Sequence, residues 1–128
     1  MVKDEATLVR AYDDKAGVTA AFNLNILHRL NRELGANFDT SCFRHRVRWN
    51  GVKSRIEMHL ESTRDQCVSI PAAEVSLEFG ASETIHTENS YKFTRSTLGA
   101  LLDDAGFVIE RTWTDPRQWY ALTLAGLK

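Results

Sequence analysis

Phe43-Arg44-His45-Arg46-Val47-Arg48-Trp49-Asn50-Gly51, followed by Ile56-Glu57-Met58-His59-Leu60-Glu61, is the stretch that decides the fold. Phe43, Val47 and Trp49 alternate with arginines, and Ile56, Met58 and Leu60 alternate with Glu57, His59 and Glu61. A period of two puts successive side chains on opposite faces of an extended chain. Asn50-Gly51 supplies turn chemistry between the runs, so they read as an antiparallel hairpin with a loop of a few residues. Arg44, His45, Arg46 and Arg48 form a basic cluster. The alternation explains them as one solvated strand face rather than as a track for phosphates.

On the N-terminal side the period changes to that of a helix. Residues from about Glu5 to Asp14 read as a short helix carrying Leu8, Val9 and Tyr12, and residues from about Val18 to Leu34 as a longer one. Phe22, Ile26, Leu27, Leu30 and Leu34 recur at helical spacing as its expected apolar face, and Gly35 stands where a C-terminal cap belongs. Asn23, Asn25, Arg29, Asn31 and Arg32 fall on the other, polar face. Three asparagines are unusual in a helix interior, because their amides compete for backbone hydrogen bonds.

On the C-terminal side Val68 and Ile70 form a third short strand ended by Pro71. Val75, Leu77 and Phe79 form a fourth, broken by Gly80 and Ala81. A helix from about Thr94 to Ala105 stops at Gly106. Strands follow over about Phe107 to Thr114 and Tyr120 to Ala125, with the turn Asp115-Pro116 between them. The expected class is α+β, with no internal repeat, low-complexity stretch or linker.

Bulk properties narrow the function classes. The 128 residues, 43% hydrophobic and 26% charged, make one domain able to bury a core. A net charge of −1 leaves no electrostatic footprint for nucleic acid or an anionic membrane. No apolar run approaches membrane-spanning length, and no signal-peptide core opens the chain. Cys42 and Cys67 lie far apart without metal-ligand spacing, so a cytoplasmic protein is expected.

Catalytic signatures are sparse. The glycines form no phosphate-binding loop, and no serine sits in a nucleophile elbow. His28, His45, His59 and His86 show no metal spacing and read as ordinary histidines. Asp13-Asp14 reads as a helix-end charge pair. Neither a catalytic residue nor a metal ligand is expected.

The exception is Ile85-His86-Thr87-Glu88-Asn89-Ser90-Tyr91-Lys92-Phe93, dense in hydrogen-bonding side chains. Regular alternation places Glu88 and Ser90 on one face, with Thr87, Asn89 and Tyr91 on the other. Glu88 either caps or salt-bridges the helix that follows, or works with Ser90. A carboxylate beside a hydroxyl accepts one N–H and offers one O–H, matching the two unlike nitrogens of a neutral imidazole.

Four blocks carry a resemblance: Ala11 to Asn25 with Asn31-Arg32-Glu33-Leu34, Arg55-Ile56-Glu57-Met58, Thr87 to Phe93, and Trp113-Thr114-Asp115-Pro116. In this order and spacing, the chain resembles the C-terminal part of the histidine-specific Nα-methyltransferases. That family trimethylates the α-amino group of L-histidine with S-adenosylmethionine, the first step of ergothioneine synthesis. The resemblance implies that residues 1–84 form a substrate-recognition region of helices and antiparallel strands. Residues 85–128 would then supply the terminal strand, helix and hairpin of a class I methyltransferase sheet, within one compact unit.

The resemblance also implies roles. Tyr12 matches a tyrosine that holds the substrate carboxylate together with an asparagine of the N-terminal half. Thr19 and Phe22 match pocket residues on the following helix, Thr19 lying near the substrate amine through water. Met58 matches a methionine lining the site, and Glu88 and Ser90 match the pair that grips the imidazole. The cofactor-binding N-terminal half precedes the matched part, so the chain alone is expected to bind no S-adenosylmethionine and to be inactive without that half. The expected partners are L-histidine and either the complementing half or further copies of the chain. A non-catalytic small-molecule binding or interaction module derived from the family is the alternative.

Overall fold

A computed structural model describes residues 1–128. Its three helices and seven antiparallel strands make an α+β architecture. Helix α1 (Glu5–Tyr12) starts at Asp4, whose carboxylate accepts the Thr7 N–H at 2.9 Å. Helix α2 (Val18–Leu34) ends at Gly35, where φ of 65° closes the last turn in the left-handed conformation that glycine tolerates. Strands β1 (Phe43–Asn50) and β2 (Arg55–Ser62) form the expected hairpin, in register from Phe43 opposite Ser62 to Asn50 opposite Arg55. Strands β3 (Gln66–Ile70) and β4 (Val75–Phe79) make a separate ribbon.

Strand β5 (Thr84–Tyr91) hydrogen-bonds to the free edge of β2, giving a sheet ordered β1-β2-β5. Helix α3 (Arg95–Asp104) is capped by Thr94, which exchanges hydrogen bonds with Thr97 in a capping box. Glu88 therefore has no part in that cap. Strands β6 (Phe107–Thr114) and β7 (Ala121–Leu127) close the chain as a two-stranded ribbon against which α3 packs. The sheet β1-β2-β5 thus spans residue 84, and β5 shares no ladder with β6 or β7.

Two clusters supply the core. Leu27, Phe38, Phe43, Leu60, Val68 and Phe79 belong to the larger one, where Phe43 meets Phe38 and Phe79 edge-on at centroid distances of 5.8 and 5.5 Å. Leu8, Ile56 and Met58 form the smaller one beneath α1, with Val9, Tyr12, Val47 and Trp49 packed against it.

Helix α2 is rotated relative to its expected apolar stripe. Leu27 is buried, but Phe22 is 66% and Ile26 44% exposed, while Asn23 is buried. The reason is polar matching. The Asn23 amide donates to the His59 carbonyl at 3.1 Å, and Asn31 brackets Phe38, accepting its N–H and donating to its carbonyl, each at 2.8 Å. Asparagines that look solvated by periodicity satisfy backbone groups the packing would otherwise leave unpaired.

The basic stripe of β1 also finds internal partners. Arg44 and Arg46 both pair with the buried Glu61 carboxylate, Arg46 Nε at 2.6 Å, and they hold Glu61 below its ordinary pKa. Cys42 and Cys67 are both free. No helix is long and apolar enough to cross a membrane.

Candidate functional site

Tyr12 closes α1 and is fixed by its backbone as well as its ring. The Asn23 amide nitrogen donates to His45 Nδ1 at 2.9 Å, so His45 carries its proton on Nε2 and donates to the Tyr12 carbonyl at 2.8 Å. A relay from α2 through β1 thereby positions the end of α1. Neither Asn23 nor His45 stood out in the sequence as a positioning residue; the only signal was an asparagine in mid-helix.

Thr19 sits in the first turn of α2. The Asp14 carboxylate accepts N–H groups from Val18 at 3.0 Å and Thr19 at 2.8 Å, which caps the helix from three residues before its glycine N-cap. The Thr19 backbone bond, its side-chain bond and the Val18 bond lower the Asp14 pKa to about 2. Thr19 does not reach the lining of the pocket described below.

On β5 a bulge decides which side chain faces where. Met58 lies opposite Glu88, yet the next residue of β2, His59, lies opposite His86. Thr87 is the extra residue, and its hydroxyl donates to the Met58 carbonyl at 3.0 Å. Without the bulge, His86 and Glu88 would share a face. With it, His86 stacks on His59 on the outer face, while Glu88 turns to the helix side with Met58. Thr87 joins Glu88 there, contrary to simple alternation, and Ser90 follows opposite Ile56.

Two neighbouring polar features result. The first is an open pocket of about 210 Å³ between α2 and β5, where Phe22, Asn25, Ile26 and Arg29 face Thr87 and Glu88. The second is a triangle: the hydroxyls of Tyr12 and Ser90 are 2.6 Å apart, and Lys92 Nζ donates to both, to Tyr12 at 2.7 Å. Burial raises the Tyr12 pKa, but the bonds from Lys92 and with Ser90 outweigh it and leave the phenol below its ordinary value.

Proton counting fixes what the triangle offers. Lys92 only donates, so both hydroxyls accept from it. One hydroxyl proton is then spent between Tyr12 and Ser90, and the other is left to donate outward. The structure therefore brings Tyr12, Met58 and Ser90 to one cluster and Phe22 and Glu88 to one pocket. β5 carries both groups on the same face, and Thr19 lies aside in the α2 cap.

No phosphate- or nucleoside-binding cradle accompanies these groups. The positive-φ glycines Gly17, Gly35 and Gly106 all stand at helix ends. Every strand pair is antiparallel, so the crevice at the carboxyl ends of parallel strands is missing from these residues.

Residues 1–127 match the family described as histidine-specific, S-adenosylmethionine-dependent methyltransferases, and the chain belongs to that family. It is 46% identical over 125 residues to the histidine N-alpha-methyltransferase of Mycolicibacterium smegmatis and 47% identical over 125 residues to that of Mycobacterium tuberculosis. Each match covers 98% of this chain and 39% of the relative, so the chain spans well under half the length of either enzyme.

Proposed function

We propose that this chain is the histidine-recognising C-terminal portion of an L-histidine Nα-methyltransferase, in which the remainder of the protein supplies the S-adenosylmethionine site. The observation that carries the proposal is the placement of Glu88 and Ser90 on one face of β5, Glu88 at the α2 pocket and Ser90 within the Tyr12–Lys92 triangle.

Two positions on one strand face lie about 6.7 Å apart. A five-membered ring held by hydrogen bonds of about 2.8 Å on either side bridges that span. Glu88 accepts the imidazole N–H, and the one free hydroxyl proton of the triangle donates to the other nitrogen. A wrong side chain would leave these groups unpaired, which is the strongest source of discrimination such a site has. Phe22 and Ile26 supply apolar wall. By the family resemblance, the proposal assigns Tyr12 to the substrate carboxylate and Thr19 to water at the amine.

The proposed reaction is trimethylation of the histidine α-amine, leading toward ergothioneine in the cytoplasm. A neutral amine attacks the methyl group directly, so the protein positions and desolvates it without a covalent nucleophile. α3, β6 and β7 would complete the methyltransferase sheet, their apolar surface covered by the cofactor-binding part.

The test fuses this chain to the portion of the M. smegmatis relative that it does not cover. Calorimetry with L-histidine is expected to show Glu88→Ala weakening binding by about tenfold or more. Asn89→Ala, opposite Glu57 on the outer face, should stay within about twofold. Equal affinities for the two variants would overturn the assignment. Histidine binding without methyl transfer would instead mark a non-catalytic binding module.

A further inference from the structure

The outer face of the β1-β2-β5 sheet, turned away from α1 and α2, holds a second cluster that the histidine pocket does not use. Glu57 and His59 project from β2 and His86 from β5. One donor atom from each lies within 4.8 Å of the other two, and Glu57 Oε2 is 3.6 Å from His59 Nε2. We propose that Glu57, His59 and His86 bind one divalent transition cation of the zinc class, which ties β2 to β5.

Three observations support it. His59 is more than nine-tenths buried, and neither ring nitrogen has a hydrogen-bond partner. Buried imidazoles are almost always satisfied on at least one nitrogen, so a ring orphaned on both leaves Nε2, which faces Glu57, free to ligate an ion. The Glu57 carboxylate is divided in a useful way. Its Oε1 accepts from Arg55 Nε at 2.8 Å and from Asn50 at 2.9 Å, which leaves Oε2 facing His59. Such outer partners hold a ligating carboxylate in place in established metal sites. Finally, the donor set of two imidazoles and one carboxylate with an open fourth position is one that zinc and its first-row neighbours take.

The required movement is small and local. Tetrahedral zinc with bonds of about 2.0–2.1 Å sets its donors about 3.3 Å apart. Glu57 and His59 are nearly there already. His86 is exposed and stacks on His59 at a centroid distance of 4.5 Å with 19° between the planes. Parallel rings cannot both aim lone pairs at one ion, so His86 must turn about its side-chain torsions. Its exposure permits this. Arg48, also exposed, is a cation acting on His59 and is able to swing outward.

The same bulge that aims Glu88 at the pocket delivers His86 to this cluster, so no sequence spacing announces the site. Because it lies on the opposite face from the pocket, the inference stands independently of the histidine reading.

The experiment titrates the untagged chain with Zn²⁺ by calorimetry, and follows the imidazole nitrogens of the wild-type chain by NMR. One ion per chain is expected, with His59 and His86 resonances moving and His28 unaffected. His86→Ala and Glu57→Gln, checked for native circular dichroism, should each weaken binding by about tenfold or more. Binding no tighter than millimolar overturns the site. So does undiminished affinity in His86→Ala, or movement of His28 in place of His59 and His86.

Discussion

Residues 1–93 and residues 94–128 are built from the same kinds of element but differ in what they bury. All 17 buried residues lie between Leu8 and Phe79. The C-terminal unit of α3, β6 and β7 buries none, yet it exposes Leu101, Val108, Trp113, Leu122, Leu124 and Leu127. A two-stranded ribbon with one helix cannot enclose a core by itself. Its local signals are nevertheless strong: a capping box at Thr94, a left-handed stop at Gly106 and a turn in which Asp115 accepts the Arg117 and Tyr120 N–H groups. Good local sequence specifies an element, while stability needs a second surface to pack on. In the proposed enzyme that surface is the cofactor-binding part, and in the isolated chain a second copy could serve.

Hydrogen exchange gives the largest contrast. Amides of β1 and β2 open only with the whole domain, whereas those of β6 and β7 open locally. At least about a thousandfold slower exchange is therefore expected in the first pair. Equal protection in dilute solution would show that the C-terminal unit is as well covered as the core-bearing region. Addition of the covering part should slow exchange in β6 and β7.

Substitution sharpens the same point. Leu60, fully buried in β2, should lose about 2–5 kcal/mol on replacement by alanine, read from urea unfolding. Leu122, 56% exposed in β7, should lose no more than about 0.5 kcal/mol. A comparable loss at Leu122 would show that the ribbon is already covered in solution, as light scattering would then register in a concentration-dependent mass.

The smallest effect tests how the core-bearing region starts its main helix. The folded-state pKa of Asp14 is about 2 against an ordinary 3.8, so its stabilising contribution is complete above about pH 4 and disappears as pH falls through 2. The difference in unfolding midpoint between the wild type and Asp14→Asn should shrink over that window. A constant difference down to pH 2 would show that Asp14 does not cap α2.

Much of this was legible beforehand. α2 runs from Val18 to Leu34 as its periodicity and Gly35 indicate, and the hairpin of β1 and β2 follows its alternation. Other features were not legible. The inward face of α2 turns on Asn23 and Asn31, whose partners lie on β2 and at Phe38. Amphipathic spacing ranks asparagine as polar and cannot see that a buried carbonyl waits for it. Thr87 shares a side with Glu88 because of a bulge, which is a property of two strands together. Likewise Tyr12 reaches Ser90 and His59 reaches His86 only through pairing of distant segments.

By itself, the sequence determined the elements, most of their ends, the α+β class and the residues that carry the family resemblance. Those depend on period, capping and turn chemistry, which act over a few neighbouring residues. Tertiary structure alone decided that β5 pairs with β2, that the bulge splits Glu88 from His86, and that the apolar surface of the C-terminal unit stays open. Register and burial are set by contacts between residues far apart in the chain, so no local pattern encodes them.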